Sequence, residues 1–582
     1  MPESHSPYSV VWPRSELTVA FKPMAPRLDT LANKTIAFCW HYMFRGDEIW
    51  EIMKAQLASL YAGVKFVDYH EFGPIHAGQE REVLAALPGR LKALGVDAVV
   101  AGVGATGSNT PAVLRASAVA EDIGLPTASL CCEGFVEQAR STSIGLGYPD
   151  IGIAMIPGHV DVQNAAELRR NILDVTLGQV IERLTSRDAT STKVPEPSPR
   201  DIVFQGDFEE VNRFFTKKQW GDGLPIVPPT ISKIETFLSF TDRDLNEVLG
   251  IPLPDSRKTT IWNVAVNGVM AGCRSEYMPV LVAVAEAMCD PQYGVEHSGN
   301  TPGSETLVIL NGPIIKELDF NYEQGALRDG FQANTTVGRF VRLYLRNVIG
   351  FLPRGNDKGT FGNTWRVVLA ENEDALNALN WPSVAVANGG VEPGENAVTV
   401  ARFTGEKVVN SVFGDHPERI LPYLADALVQ GTTWECTLVF GFATGSYRPL
   451  LIMTPVIANV FGKAGWSKSD VQKRLFELAR IPARKFEQYI RGFTNILSGT
   501  RSLYEFAQAG QAPAVLGESA DPNRLVPIVI APEHIQLAVA GDPQRSNCIM
   551  LTQNGPLGFP TTKAIKLPAG WREKLRANSD RD

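Results

Sequence analysis

Cysteine is scarce in this chain and badly spaced for structural use. The seven, at positions 39, 131, 132, 273, 289, 436 and 548, are odd in number and include no C-x-x-C pair, so neither a disulfide scaffold nor a zinc knuckle is expected. Adjacent Cys131 and Cys132 suit neither a disulfide nor a shared metal; they end the apolar run Ala128-Ser-Leu and read as buried, inert thiols. Only eight histidines occur, with no H-x-x-x-H pair. No stretch reaches the roughly 20 apolar residues of a membrane-spanning helix, and the opening Met1-Pro-Glu-Ser-His-Ser-Pro-Tyr8 lacks a basic segment followed by an apolar one. The expectation is a cytoplasmic protein without a membrane partner. Long lysine or arginine runs are missing too, and the formal net charge is −8, which argues against nucleic-acid binding. There is no P-loop.

What the chain does have is length and apolar content. At 582 residues and 44% hydrophobic it holds enough for two or three domains with sizeable cores. Residues 30–185 alternate short apolar runs with helical patterns: strand-like Thr35-Ile-Ala-Phe-Cys39, a helix over 47–61 with Ile49, Trp50, Met53, Leu57 and Leu60 on one face, and strand-like Val64-Lys-Phe-Val67. A helix over 79–94, a strand over 98–101, a helix from Pro111 to Asp122 and a strand over 126–132 continue the rhythm. This predicts an α/β fold, a doubly wound parallel sheet whose ligands sit beyond the carboxyl ends of the strands. The Pro- and Ser-rich stretch 186–200 reads as a linker between a first domain, 28–185, and a larger α/β region, 201–582. In that region Thr306 to Ile314, Leu450 to Ile457 and Val526 to Ile535 each read as a buried strand, then a proline suited to a helix start, and suggest three βα units.

The segment Gly102-Val-Gly-Ala-Thr-Gly-Ser-Asn109 stands out in the first domain. A glycine-rich turn from a buried strand into a helix is either a tight, capped βα turn or a site where backbone N–H groups and a helix start hold an anion or an oxyanion. Thr106, Ser108 and Asn109 add side-chain donors, and Gly107 permits close approach. Gly102-x-Gly-x-x-Gly107 superficially fits a dinucleotide fingerprint, but no acidic residue stands at the end of the next strand, so NAD is not expected. His41 ends the first strand and should face this loop; Glu133 follows the strand at 126–132. Each is either a proton-transfer group or a structural residue.

In the second region Cys273, Arg274 and Glu276 precede a helix from Val280, as an activated thiol with its partners or as a cap around a packed thiol. Asn334 and Thr336 are candidate caps of a helix bearing Arg339, Arg342 and Arg346 on one face, which reads equally as a carboxylate-binding edge and as a salt-bridged contact. Asp357, Thr360, Glu371 and Glu373 admit a hard metal, though their spacing is not diagnostic. No cofactor is predicted, and a metal ion stays open.

Ala98 to Thr110, the helix after it, and Gly124-Leu-Pro-Thr-Ala-Ser-Leu-Cys-Cys-Glu-Gly-Phe135 resemble the UGSC family, named for a selenocysteine-or-cysteine, glycine, serine, cysteine motif. The resemblance extends over 28–185. The second region resembles the domain that accompanies such segments, through Trp220 to Thr230, Ala271 to Tyr277, Asn311 to Ile314, Ala333 to Arg339 and Gly465 to Asp470. At the family's two redox positions this chain carries Thr106 and Asn109, so the resemblance implies loss of thiol redox chemistry at the loop unless a distant cysteine substitutes. The expected function is therefore that of a small-molecule enzyme doing non-redox polar chemistry (elimination, hydration or hydrolysis, lyase-like) in a cleft between the two regions. His41, Thr106, Ser108, Asn109, Glu133, Cys273 and Glu276 are its candidate catalytic residues. Gly107, Arg274, Asn334 and Arg339 are the candidates for holding a small anionic or carbonyl-containing substrate. A metal- or cofactor-dependent oxidoreductase or lyase centred in the second region, or a non-catalytic binding or assembly protein, are the alternatives. The long apolar second region leads us to expect a homo-oligomer.

Overall fold

Strand Ala98–Gly104 has every one of its residues buried, as a continuous apolar run must when both faces of its sheet are covered. The structure is a computed structural model that describes residues 7–186, 195–363, 365–494, 501–553 and 558–579. In chain order the first part comprises β1 (Tyr8–Val11), β2 (Thr35–Trp40), α1 (Gly46–Leu60), β3 (Lys65–Val67), α2 (Glu80–Ala93), β4 (Ala98–Gly104), α3 (Asn109–Asp122), β5 (Thr127–Cys132), α4 (Val136–Gly145), β6 (Ile153–Ile156), α5 (Ala165–Asn171) and α6 (Leu177–Thr185). Five of these strands form one parallel sheet in the order β3-β2-β4-β5-β6. Alternate residues feed two separate cores. Ile36, Phe38, Ala98 and Val100 pack with Ile49, Trp50 and Met53 of α1 and Val180 of α6; Ala37, Cys39, Val99 and Ala101 pack with Val83, Leu87 and Leu91 of α2 and Val113 of α3. That period of two, with a helix layer on each face, is the expected doubly wound arrangement.

Apart from β4, which continues to Gly104 instead of ending at Ala101, the expected elements match to within two residues, and α3 differs by that much. It begins at Asn109 rather than Pro111, because Thr106 already satisfies the first turn: its Oγ1 accepts from the Asn109 N–H at 3.2 Å and its carbonyl from the Thr110 N–H at 3.1 Å. Pro111 then falls where no N–H is needed. The strand order reverses between β2 and β4, which opens a crevice beyond their carboxyl ends. His41 and the glycine loop both lie there.

The second region is built on a seven-stranded mixed sheet. Its long strand Ala397–Val409 runs antiparallel to Glu305–Asn311, Cys548–Gln553 and Thr561–Ala564. Glu305–Asn311 and Leu450–Met453 are sheet strands followed by helical turns, at Ile314–Glu317 and Pro455–Lys463. The third expected βα unit is corrected. Residues Leu525–Pro527 pair antiparallel with Arg480–Pro482 outside the main sheet, a single turn follows at Pro532–His534, and the chain joins the sheet only at Gln536–Val539. Pro527 and Pro532, lacking N–H groups, suit such a broken segment better than a ladder.

Strand β1 does not join the parallel sheet. It pairs with β7 (Ile202–Gly206), and Val10 and Val11 sit in the second region's core. Of the expected linker, residues 187–194 lie outside the described residues; beyond them Glu196 pairs with Arg257 at 2.7 Å. The two parts meet at backbone level. A Cβ on Gly107 would overlap the Gly299 carbonyl, and one on Gly145 the Pro254 carbonyl. Gln138 Nε2 donates to both Gly107 O at 2.7 Å and Asn356 O at 3.3 Å. Among the described residues no helix is long and apolar enough to cross a membrane.

Candidate functional site

The glycine loop is held by one fully buried side chain. Asn109 Oδ1 accepts from the Ala105 N–H (3.1 Å), the Thr106 N–H (2.7 Å) and Thr106 Oγ1 (2.9 Å), while its Nδ2 donates to Val103 O (3.0 Å) and His41 Nε2 (3.0 Å). His41 Nε2 also accepts from the Val103 N–H at 3.0 Å when it carries no proton, and lies 2.9 Å from Val103 O, to which it would donate when protonated. Burial pushes the His41 pKa down to about 3, against the pull of its bonding to Val103, so the ring is neutral and braces the loop from behind. Two backbone N–H groups that the sequence offers to a ligand are thus spent inside the loop. His159 completes the frame, its Nε2 meeting Ala105 O at 3.1 Å.

In front of the loop lies a cavity of about 210 Å³. The sheet side contributes Phe44, Arg45, Thr106, Ser108 and Asp161, and the facing second region contributes Asn300, Thr301, Trp434, Phe442, Arg491 and Phe493. Thr106 Oγ1 is occupied by Asn109, as above. Ser108 Oγ meets only Thr106 Oγ1, at 3.4 Å. Asp161 stands at the rim, its carboxyl raised by partial burial against the charges of His159 and Arg45. Arg45 is committed to Glu48 at 2.8 Å and to the carbonyls of Val160 and Gln163.

Residues 9–186 match the family model described as the UGSC family. The N-terminal part of this chain is a UGSC-like domain. No curated protein and no solved structure matches the chain. The match begins in β1, so the segment of the UGSC-like domain that precedes the parallel sheet is the one pinned to the second region, where Arg14 also meets Asp255 at 3.0 Å. The loop of the UGSC-like domain holds no cysteine of its own. Cys131 lies directly beneath it against Gly104, but complete burial drives its thiol far above the ordinary range, which leaves it without usable thiolate.

The remaining candidates separate from this cavity. Within the UGSC-like domain, Gly107 faces the Gly299 backbone rather than open space, and exposed Glu133 accepts from the Gly158 N–H at 3.2 Å without lining the cavity. In the second region, Arg274 borders a different cavity of about 510 Å³ with Tyr277, Asp319 and Phe331. Of the two readings of Cys273, the packed thiol is the one present, against the second region's core. Desolvation pushes the thiol up to about 12, outweighing a bond to Thr336 and the charge of Arg339, because Cys273 follows the C-terminal Gly272 of helix Ile261–Ala271 instead of opening the next helix. Glu276 is buried between Arg274 and Asn578 Nδ2, the latter at 2.9 Å. Asn334 bonds Asn321 N, Asn321 O and Val368 O at 2.8–2.9 Å and caps nothing. Arg339 takes Asp222 bidentately, 2.9 Å on each oxygen. Of its two readings, a salt-bridged contact is the one present. Glu371, a candidate metal ligand, instead accepts from Asn311 Nδ2 and the Val384 N–H, each at 2.8 Å, and Asp357 pairs with Arg342 at 3.4 Å. Among the described residues no three His, Cys, Asp or Glu side chains group as metal ligands.

Sequence reasoning missed Asp161, Asn300, Thr301 and Arg491. Asp161 carried a usable signal, since it follows the last strand of the parallel sheet and so belongs at the carboxyl ends with the other loops. The second-region residues carried none, for only the docking at Gly107 brings them to the loop.

Proposed function

We propose that the cavity between the UGSC-like domain and the second region is the active site of a small-molecule enzyme doing non-redox polar chemistry, an elimination, hydration or hydrolysis, on an anionic or carbonyl-bearing compound. The observation that carries this reading is Ser108. It is the loop's cavity-lining hydroxyl left nearly free at the start of the 14-residue helix α3, beside Thr106 and Asn109, whose side chains already bond each other. Its O–H donates to a substrate oxygen, and the positive end of α3 favours negative charge developing there. Asp161, whose carboxyl is raised above its ordinary value by partial desolvation at the rim, gives or takes the proton. Thr301 orients the substrate from the opposite wall, while Phe44, Trp434, Phe442 and Phe493 keep water out and strengthen each polar contact. His41 and Asn109 hold the loop in shape and touch no substrate.

The reading is tested by incubating the full chain, beside Ser108→Ala, with a panel of small carboxylic acids, amides and carbonyl compounds in D2O and following the proton NMR spectrum. Deuterium uptake or product signals that fall about 100-fold in rate in the variant, at unchanged melting temperature, support it. Equal turnover by both proteins removes the loop from the chemistry.

A further inference from the structure

A second cavity, about 590 Å³, is bounded by α2 and α3 of the UGSC-like domain and by residues 291–297 and 443–446 of the second region. Its floor is a buried relay. His76 Nδ1 meets Glu80 Oε2 at 2.9 Å, and Arg115 holds Glu80 Oε1 at 2.5 Å. Burial works against the Glu80 charge, but Arg115 and His76 outweigh it and keep the carboxyl below its ordinary range. Glu80 is therefore a fixed support that aims Arg115. The His297 ring sits 5.5 Å from that of His76.

Three side chains on this cavity's wall keep polar atoms without a partner among the described residues: Arg115 Nη1, His297 Nδ1 and Ser446 Oγ. His297 and Ser446 are each only 2% exposed, so an unmet polar atom there is costly. Arg115 Nη1 can only donate, and the other two can donate as well. What they share is a demand for acceptor oxygens. The charged groups on the wall, Arg81 and Arg115 against Glu80 and Glu296, balance, which disfavours a doubly charged phosphate. Leu84, Leu253 and Phe559 supply an apolar side.

We propose that this cavity is a second small-molecule site, which takes a short carboxylic acid with its carboxylate on Arg115, His297 and Ser446 and its hydrocarbon against Leu84, Leu253 and Phe559. The site uses none of the residues assigned to the Ser108 cavity, so either can fail alone.

Calorimetric titration of the full chain with butyrate, butyramide and inorganic phosphate tests it. Butyrate should saturate one site, with the other two binding at least about tenfold more weakly. Ser446→Ala, and Arg115→Lys, which keeps a cation beside Glu80, should each weaken butyrate about tenfold. Ser108→Ala should leave butyrate binding unchanged. Absence of saturable binding, equal binding of all three probes, or unchanged affinity in both Ser446→Ala and Arg115→Lys would overturn the assignment.

Discussion

Asn109 and Ser108 are neighbours with opposite jobs. Asn109 is completely buried and satisfies Ala105, Thr106, Val103 and His41 at once, so Asn109→Ala strands several buried donors and acceptors. Each costs about 1–3 kcal/mol, and a loss near 3 kcal/mol is expected in a urea melt. Ser108 gives up a single 3.4 Å contact; Ser108→Ala should change the same melt by less than about 0.5 kcal/mol. A comparable loss in both variants would mean that the loop is held as a unit and that Ser108 is not free. The residue types of the loop were legible in the sequence, as donors beside a helix start, but their division of labour was not. Which hydroxyl is spent and which is open depends on the side chain of His41, 68 positions away from Asn109.

At the level of elements, the βα rhythm was readable because each strand is an apolar run and each helix keeps one apolar face; α1 buries Ile49, Trp50, Met53 and Leu57 as its spacing predicts, whereas Leu60, expected on the same face, is exposed at the last turn. The arginine face of helix Gln332–Tyr344 left two readings open, and Asp222 decides between them. That carboxylate is 1% exposed in its side chain and lies 117 positions from Arg339, beyond the reach of any local pattern. Arg339→Ala leaves it buried and uncompensated but for Arg366 at 3.8 Å, and should cost about 3–5 kcal/mol. Thermal melts that fail to move would place Asp222 in solvent instead. The docking glycine behaves similarly: Gly107→Ala forces the loop off the Gly299 carbonyl, and about 1–3 kcal/mol of overpacking cost is expected, read as a lower denaturation midpoint.

For the whole molecule, histidine burial sets the acid limb of stability. His41 is held neutral down to about pH 3 by burial, and His297 is likewise pushed well below its ordinary value by burial and by its neighbours, Arg115 among them. Below about pH 6.5 the unfolded chain takes up these protons and the folded chain does not, so stability falls as pH drops, by about 1.4 kcal/mol per pH unit for each such ring. The His41 share persists until the pH approaches 3. Urea melts at pH 7 and pH 5 should show the fall, and His41→Gln should show less of it; identical pH dependence in the two proteins would mean that His41 titrates normally.

The central claim is that substrate is held at Ser108, between the two parts of the chain, and not at the second region's Arg274 cluster. A crystal structure of the full chain with a compound it turns over tests this most directly. The account predicts the ligand in the cavity lined by Thr106, Asp161, Asn300 and Phe442, with an oxygen within hydrogen-bond distance, about 3 Å, of Ser108 Oγ. A ligand seated instead beside Arg274, Tyr277 and Asp319, with the Ser108 cavity vacant, would contradict it.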